Sequence, residues 1–155
     1  MTLHNMTLIT RFDRAATSFA RKHGEVMARL SLFTIYFWFG ALKIFDLSPA
    51  NPLVQELLNK TMTWISFDTF IVLFGLLEVL IGVLFLFRDE RISHITIAMM
   101  WLHMAMTILP LFVLPQIAWS APLVPTLEGQ YVIKNIALIA LTIQLLAHMH
   151  KKSTV

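Results

Sequence analysis

The chain has 155 residues, of which 57% are hydrophobic and only 14% are charged. A soluble domain normally carries about a quarter charged residues, so this composition argues against an ordinary soluble globular protein. Twelve Lys and Arg residues against nine Asp and Glu residues give a formal net charge of +3. Cysteine is absent, which excludes disulfide scaffolds, thiolate metal sites and cysteine nucleophiles, so a redox role would require a cofactor or a partner.

Four apolar stretches are long enough to cross a bilayer, which requires about 20 residues of helix. They cover approximately residues 30–45, 69–87, 92–114 and 131–148. Because the membrane interior offers no water to the backbone, each stretch is expected to be a helix. The alternative is four buried helices of a soluble bundle, but such helices would have a polar side for solvent, which these stretches lack. The sequence therefore predicts an all-α bundle of four transmembrane helices.

The basic residues lie mainly on one side of the predicted membrane. Five precede the first span, two lie between the second and third spans, and two follow the fourth: Arg11, Arg14, Arg21, Lys22, Arg29, Arg88, Arg91, Lys151 and Lys152. Because short loops rich in Lys and Arg stay in the cytoplasm, both termini are predicted to be cytoplasmic.

The chain is predicted to divide into a cytoplasmic segment at 1–28, a membrane domain at 29–150 and a cytoplasmic tail at 151–155. Apolar residues of the first segment recur at helical spacing among basic ones: Ile9, Phe12, Ala16, Phe19 and Ala20. This pattern is typical of an amphipathic helix lying on the cytoplasmic leaflet, where each cation is attracted by roughly 1 kcal/mol. A nucleic-acid-binding arm would use the same charges without needing the Phe stripe, so no nucleic-acid partner is expected.

Two segments connect the spans on the outer side. Asn51 and Pro52 are a typical helix start, since Asn caps helices and Pro suits the first turn, and they predict a short outer helix between spans one and two. Trp64 follows as a candidate interfacial anchor. The segment between spans three and four contains several prolines and is expected to be extended or turn-rich, with Thr126 as the candidate N-cap of span four.

Ionisable side chains inside a span usually face the bundle interior, so each is a candidate functional residue. Glu78 and His103 lie near the middle of spans two and three, while Lys43 and Lys134 lie toward the outer ends of spans one and four. Asn135 adds a neutral hydrogen-bonding group next to Lys134. Because an isolated buried charge is costly, we expect these side chains to form one inward-facing polar cluster.

Purely structural interpretations remain open for the same residues. Lys43 could extend to the outer interface and pair with Asp46, and Lys134 could do the same with Glu128. The two mid-span residues could serve only to hold the helices together. No metal site is expected, because the histidines lack ligand spacing with any carboxylate.

Three glycines are predicted to let helices approach each other closely. Gly75 and Gly82 flank Glu78 at i−3 and i+4, so the carboxyl projects from a smooth helix face. Gly40 lies one turn before Lys43 and shares its face in the same way.

Several of these motifs together carry a family resemblance. The first span has a Gly-x-x-Lys pattern at Gly40 and Lys43, the second a Glu followed by glycine at Glu78 and Gly82, and residues 125–135 lead into the fourth span. In this order they resemble the DoxX-like superfamily over about residues 29–148. The run from Trp38 to Lys43, with Pro52 and Trp64 after it, is most similar to the branch containing a bacterial inner-membrane protein for reactive-chlorine resistance.

The resemblance implies a four-helix bundle in the bacterial cytoplasmic (inner) membrane and a link to redox biology or oxidative-stress protection. The superfamily includes a subunit of a thiosulfate:quinone oxidoreductase, which makes quinone the cofactor it suggests. Lys43, Glu78, Lys134 and Asn135 match its polar signatures. It carries no uniform catalytic mechanism, so no catalytic residue is assigned, and enzymatic activity is expected at most as a subunit of a quinone-linked oxidoreductase.

Three functional hypotheses follow. In the first, an interior pocket binds a quinone-like or lipid-like ligand, with Lys43 and Lys134 donating hydrogen bonds while Glu78 and His103 handle charge or protons. In the second, the protein is a non-catalytic anchor or assembly partner of a membrane redox protein. The third, a small ion- or proton-coupled transporter, is disfavoured because four helices without a repeat offer little for alternating access unless the chain forms a homo-oligomer.

Overall fold

The structure is a computed structural model that describes the backbone of residues 3–153 and the side chains of residues 10–149. Within these residues, four helical segments are long and apolar enough to cross a membrane: Thr10–Ile44, Phe67–Leu84, Glu90–Val113 and Leu127–Met149. The prediction of four such helices is confirmed, and they are compatible with a multi-pass membrane protein. The elements in chain order are α1 (Leu3–Ile44), α2 (Asn51–Thr61), α3 (Phe67–Leu84), α4 (Glu90–Ile108), α5 (Pro110–Val113), α6 (Pro115–Ala118), β1 (Trp119–Ala121), β2 (Val124–Pro125), α7 (Leu127–Ile133) and α8 (Asn135–Ser153).

The first helix is longer than the sequence analysis predicted. α1 continues for 42 residues without a break, which corresponds to about 63 Å at a rise of 1.5 Å per residue. A separate amphipathic helix at 1–28 is therefore not confirmed, because the helix passes through residue 28 into the first span. Residues 10–22 are all exposed, and Arg29 is the first buried side chain among residues 10–149.

Side-chain caps begin three of the helices. Ser66, Asp89 and Thr126 each accept a hydrogen bond from the backbone N–H three residues later, at the starts of α3, α4 and α7. Such a cap satisfies one of the backbone donors that a helix leaves unpaired at its start. The prediction that Thr126 caps the fourth span is confirmed.

The short helix between spans one and two is present as α2, but its predicted cap is wrong. The N-cap is Ala50, which makes no side-chain cap, and Asn51 lies inside the helix with Pro52. The Asn51 amide instead donates to Asp46 Oδ1 at 2.6 Å. Asp46 has a positive φ of 56°, a conformation that Asp tolerates better than most residues, and it turns the chain from α1 toward α2.

The third and fourth spans are each built from two helices. Pro110 starts α5 directly after α4, and Lys134 separates α7 from α8. Between them, the expected turn-rich segment forms α6 and an antiparallel hairpin, in which Trp119 pairs with Pro125. The all-α prediction did not include this hairpin, because strands of three and two residues are too short to produce an alternating pattern.

The core lies between the four spans, and their outer sides remain apolar. Trp101, which is exposed, donates through Nε1 to the buried Thr142 Oγ1 at 2.9 Å and ties α4 to α8 at the edge of this core. Large apolar side chains are exposed around the bundle, including Leu73 on α3 and Ile143 on α8, as expected for contact with lipid. The buried core residues are Leu32, Tyr36, Ile81, Phe85, Ile97, Met100, Met104, Leu145 and Met149.

α1 and α3 pack with their backbones in contact. A Cβ added to Gly40 would lie 2.6 Å from the Gly75 carbonyl oxygen, and a Cβ added to Gly75 would lie 2.7 Å from the Gly40 oxygen. At Gly82 an added Cβ would lie 2.8 Å from the Phe37 backbone nitrogen. The three glycines predicted to permit helix packing therefore all lie at this interface, where only a hydrogen in place of a side chain fits.

Gly40→Ala is expected to destabilise the protein by about 1–3 kcal/mol, because the added methyl group must push α1 away from α3. Gly24→Ala is the matched control, since an added Cβ there meets nothing within 4 Å. Ala favours an exposed helix over Gly by roughly 0.5–1 kcal/mol, so the control is expected to be slightly stabilised. Thermal unfolding in detergent measures both, and equal unfolding temperatures for the two variants would contradict the backbone contact.

Candidate functional site

Two charged side chains from adjacent spans meet inside the bundle. Lys43 Nζ lies 2.7 Å from Glu78 Oε2, and each residue is only 5% exposed. The glycine contact between α1 and α3 brings the two helices close enough for the side chains to meet. The alternative pairing of Lys43 with Asp46 is not what the structure shows, since the Asp46 carboxylate accepts from Asn51 instead.

The imidazole of His103 lies against the other oxygen of the same carboxylate. His103 Nε2 is 3.0 Å from Glu78 Oε1, and the Tyr36 hydroxyl is 3.3 Å from His103 Nδ1. Although His103 Nε2 and Glu78 Oε1 are close, an N–H at Nε2 would not point at this carboxylate oxygen. Among the described residues Nε2 therefore has no well-directed hydrogen-bond partner, although His103 is 2% exposed. Glu78 is thus shared between an ammonium group and a ring nitrogen.

Aromatic rings surround these polar groups. The Phe74 ring stacks on the His103 ring with centroids 4.8 Å apart, and Lys43 Nζ lies 5.7 Å from the same Phe74 centroid. The Tyr36 ring meets His103 edge-on at 5.4 Å. Because these rings keep water away, electrostatic interactions among the enclosed groups are stronger than they would be at a surface.

We refer to Tyr36, Lys43, Glu78 and His103 as the intramembrane polar cluster. Its members come from α1, α3 and α4, and the contacts run in sequence from the Tyr36 hydroxyl through the imidazole and the carboxylate to the ammonium group. Each of these groups can take part in hydrogen bonds. The direction of the first hydrogen bond depends on which imidazole nitrogen carries its proton. The arrangement can therefore both balance charge and donate hydrogen bonds in a water-poor site.

Lys134 does not join this cluster, so its predicted membership is wrong. Its side chain is exposed, and Nζ lies 3.6 Å from the centroid of the Tyr131 ring. Val132 faces the bundle interior, and a residue two positions later points about 200° around the helix, to the opposite side. The structure therefore places Lys134 over Tyr131 and not in the interior.

Asn135 lies beside the cluster and not within it. It is half-buried, and its Nδ2 donates to Thr107 Oγ1 at 3.5 Å. Thr107 is one helical turn after His103 on α4, so this long hydrogen bond links the start of α8 to the helix that carries the imidazole.

A second buried polar group lies at the opposite end of the bundle and was not identified as a site from the sequence. Arg29 is 3% exposed, and its guanidinium bonds to α3, α4 and α8 as well as to its own helix. It binds the carbonyl of Phe85, the C-cap residue of α3, and the carbonyl of Phe87 in the turn that follows. Its partners are Phe87 O at 2.6 Å, Phe85 O at 3.4 Å, Ser93 Oγ at 3.0 Å, Met149 Sδ at 3.4 Å and Glu25 Oε1 at 3.2 Å.

A sequence signal for Arg29 does exist. Arg29, Tyr36 and Lys43 are spaced by seven residues, so they lie on one face of α1. Charge placement alone identifies Arg29 only as one of the basic residues that predict the orientation of the chain in the membrane. Its spacing from two interior residues indicates that it points inward.

Among residues 10–149, no three His, Cys, Asp or Glu side chains are placed to hold a metal ion. Comparisons of the chain with protein families, with curated proteins and with solved structures found no match. The resemblance to the DoxX-like superfamily stays a prediction, and the functional interpretation depends on the geometry of the intramembrane polar cluster.

Proposed function

We propose that this protein binds a quinone-like or lipid-like ligand at the intramembrane polar cluster. The observation that carries the proposal is that three ionisable side chains from three spans share one buried contact network, in which His103 Nε2 lacks a directed partner. Ionisable groups at membrane depth are costly, and those that persist commonly mark ligand or proton pathways. A buried ring nitrogen without a directed partner fits a ligand that carries a carbonyl or hydroxyl oxygen.

The residues of the cluster have distinct roles in this proposal. His103 Nε2 and Lys43 Nζ donate to ligand oxygens, and Glu78 balances the positive charge and accepts a proton when one is released. Phe74 stacks on the imidazole and gives the site an apolar wall. A bound quinone would supply reversible two-electron, two-proton chemistry, whereas the chain itself holds and moves protons at the imidazole and the carboxylate.

The proposal extends to the membrane in which the protein lies and to its biological role. We infer that both termini lie in the cytoplasm, because the basic residues flank the spans on one side. The DoxX-like resemblance implies the bacterial cytoplasmic membrane. The DoxX-like resemblance supports a role in redox or oxidative-stress protection, at most as a subunit of a quinone-linked oxidoreductase.

His103→Leu is expected to weaken binding of a short-chain ubiquinone by about tenfold or more, a loss of about 1.4 kcal/mol, because it removes the buried ring nitrogen that would bond to the ligand. The measurement is quenching of tryptophan fluorescence on titration in detergent, combined with mass spectrometry of solvent extracts from the purified protein. Extracts of the wild type are expected to contain a quinone or another isoprenoid amphiphile in stoichiometric amount.

His94→Leu is the matched control for this experiment, since His94 is exposed and its ring nitrogen contacts a carbonyl of its own helix. It is expected to bind like the wild type. Identical affinities for all three proteins would contradict the assignment of the site. An extract containing phospholipid but no quinone would assign the cluster to a lipid headgroup.

A second candidate function is that of a non-catalytic anchor or assembly partner of a membrane redox protein. The observation that favours it is the 2.7 Å pairing of Lys43 with Glu78, which satisfies both charges within the chain. In that case the cluster only fixes the packing of the helices. Purification in mild detergent is then expected to recover a companion protein in stoichiometric amount, and a ligand-free protein without one would exclude this role.

A further inference from the structure

The N-terminal half of α1 extends beyond the bundle. We refer to α1 residues 10–28 as the stalk. It spans about 28 Å before Arg29, the first buried side chain among residues 10–149. Since Arg29 binds carbonyls at the end of α3 next to the start of α4, the stalk points away from the four-helix region. Phe12 and Phe19 on the stalk are 77% and 56% exposed. The Phe19 ring contacts the His23 ring one turn later on the same helix, with centroids 4.9 Å apart, so both phenylalanines keep most of their surface outward.

The apolar residues of the stalk follow a heptad repeat. Spacings alternate between four and three residues, as they do along the seam of a two-stranded coiled coil. The strongly polar residues Arg14 and Arg21 lie on the opposite face, about half a turn away. The residues in register are Phe12, Ala16, Phe19, His23, Val26, Leu30, Phe33 and Phe37.

The same stripe continues into the membrane. Leu30 and Phe37 are exposed on the first span, at positions that extend the repeat of the stalk. Two copies of the chain in one bilayer have the same orientation, so their α1 helices run parallel and equivalent residues meet at equal height. A two-fold axis along the membrane normal then pairs Phe12 with Phe12 and Phe19 with Phe19 of the other copy.

We propose that this stripe of α1 binds a second copy of the chain, forming a parallel coiled coil from the stalk into the first span. Four large exposed side chains of the stripe, together with Met27 at its edge beside Val26, contribute per copy, each with on the order of 100 Å² of accessible surface. Two copies then bury about 1,000 Å², the lower bound of specific interfaces. The side chains are Phe12, Phe19, Met27, Leu30 and Phe37.

A lipid surface is the less suitable occupant of the stalk. To lie on the leaflet, the stalk would have to turn through roughly a right angle relative to the span, whereas α1 is helical throughout, including at Gly24. Phe12 lies about 26 Å along the helix from Arg29. A leaflet surface at the level of Arg29 is therefore too far from Phe12 to contact it. The dimer interface is independent of ligand binding at the intramembrane polar cluster.

Disulfide cross-linking tests this interface directly, because the chain contains no cysteine. Phe12→Cys and Phe19→Cys place thiols on the stripe, and Arg14→Cys and Arg21→Cys place them on the opposite face at the same seven-residue spacing. Since a disulfide needs Cβ atoms about 4 Å apart, oxidation in native membranes is expected to give roughly fivefold more dimer for the first pair.

Equal cross-linking from both faces, or none from either, would overturn the proposal. A fluorophore on the same cysteines adds a second readout. Strong quenching by lipid-borne nitroxides at Phe12→Cys and Phe19→Cys would assign the stripe to the membrane surface and also overturn it. All four positions are exposed, and gel filtration verifies that each variant folds like the cysteine-free protein.

Discussion

Glu78→Gln is expected to destabilise the protein by about 3–5 kcal/mol, because it leaves the Lys43 ammonium group buried without its counter-charge. Lys43 and Glu78 are both almost fully buried and 2.7 Å apart, so little water can replace the lost carboxylate. Thermal unfolding in detergent measures the loss. Glu56→Gln on α2 is the matched control, since Glu56 is exposed and its substitution is expected to change stability by less than about 0.5 kcal/mol.

The double variant Lys43→Met with Glu78→Met separates the structural role of the pair from its functional role. Methionine is similar in length to both side chains, and apolar replacement of a whole buried ion pair is often neutral or stabilising. We therefore expect stability within about 2 kcal/mol of the wild type, together with loss of quinone binding. A double variant that folds and still binds quinone would assign the pair to helix packing alone. Wild-type stability of the single Glu78→Gln variant would contradict the ion pair itself.

Arg29→Met is expected to destabilise the protein by about 3–5 kcal/mol, because it removes the guanidinium that joins α1 to three other helices. The carbonyl groups of Phe85 and Phe87 lose a charged donor at a helix end that the bundle partly encloses. Thermal unfolding is again the measurement. Arg88→Met, which removes an exposed arginine only one residue past Phe87, is the matched control and is expected to have little effect.

Arg29→Lys tests whether the shape of the guanidinium matters as well as its charge. The bonds at Nη1 and Nη2 point to different helices, and a lysine ammonium group cannot reproduce this planar fork. We expect an intermediate loss of stability for this variant. If it unfolds at the wild-type temperature, a positive charge at this position is sufficient, and the bridging geometry has no measurable role.

Local patterns in the sequence predicted several elements of the fold. Long apolar runs predicted four spans. A single segment can cross a membrane only as a helix, because a helix pairs its backbone groups within the segment itself. Thr126 was recognised as a cap because capping depends on residues within one turn. Asn51 had the same signal, but α2 begins one residue earlier than predicted, with Ala50 at the N-cap, and the Asn51 amide donates to the Asp46 carboxylate.

Part of the site was also predictable, because depth in a membrane follows from position along a span. The positions of Lys43, Glu78 and His103 along their spans predicted compatible depths, and the structure places the three side chains in contact. Position along a span did not give the direction in which a side chain points around its helix. For this reason Lys134, at a suitable depth, was assigned to the interior although it faces outward over Tyr131.

The sequence by itself determined the number of spans and the identity of the charges that lie within them, because both depend on composition and local periodicity. Only the tertiary structure decided that α1 continues unbroken into its stalk, that glycines bring α1 and α3 into backbone contact, and that Arg29 bonds across four helices. These features arise from contacts between residues far apart in the chain. Their geometry depends on how each helix is rotated against its neighbours, which no single segment specifies.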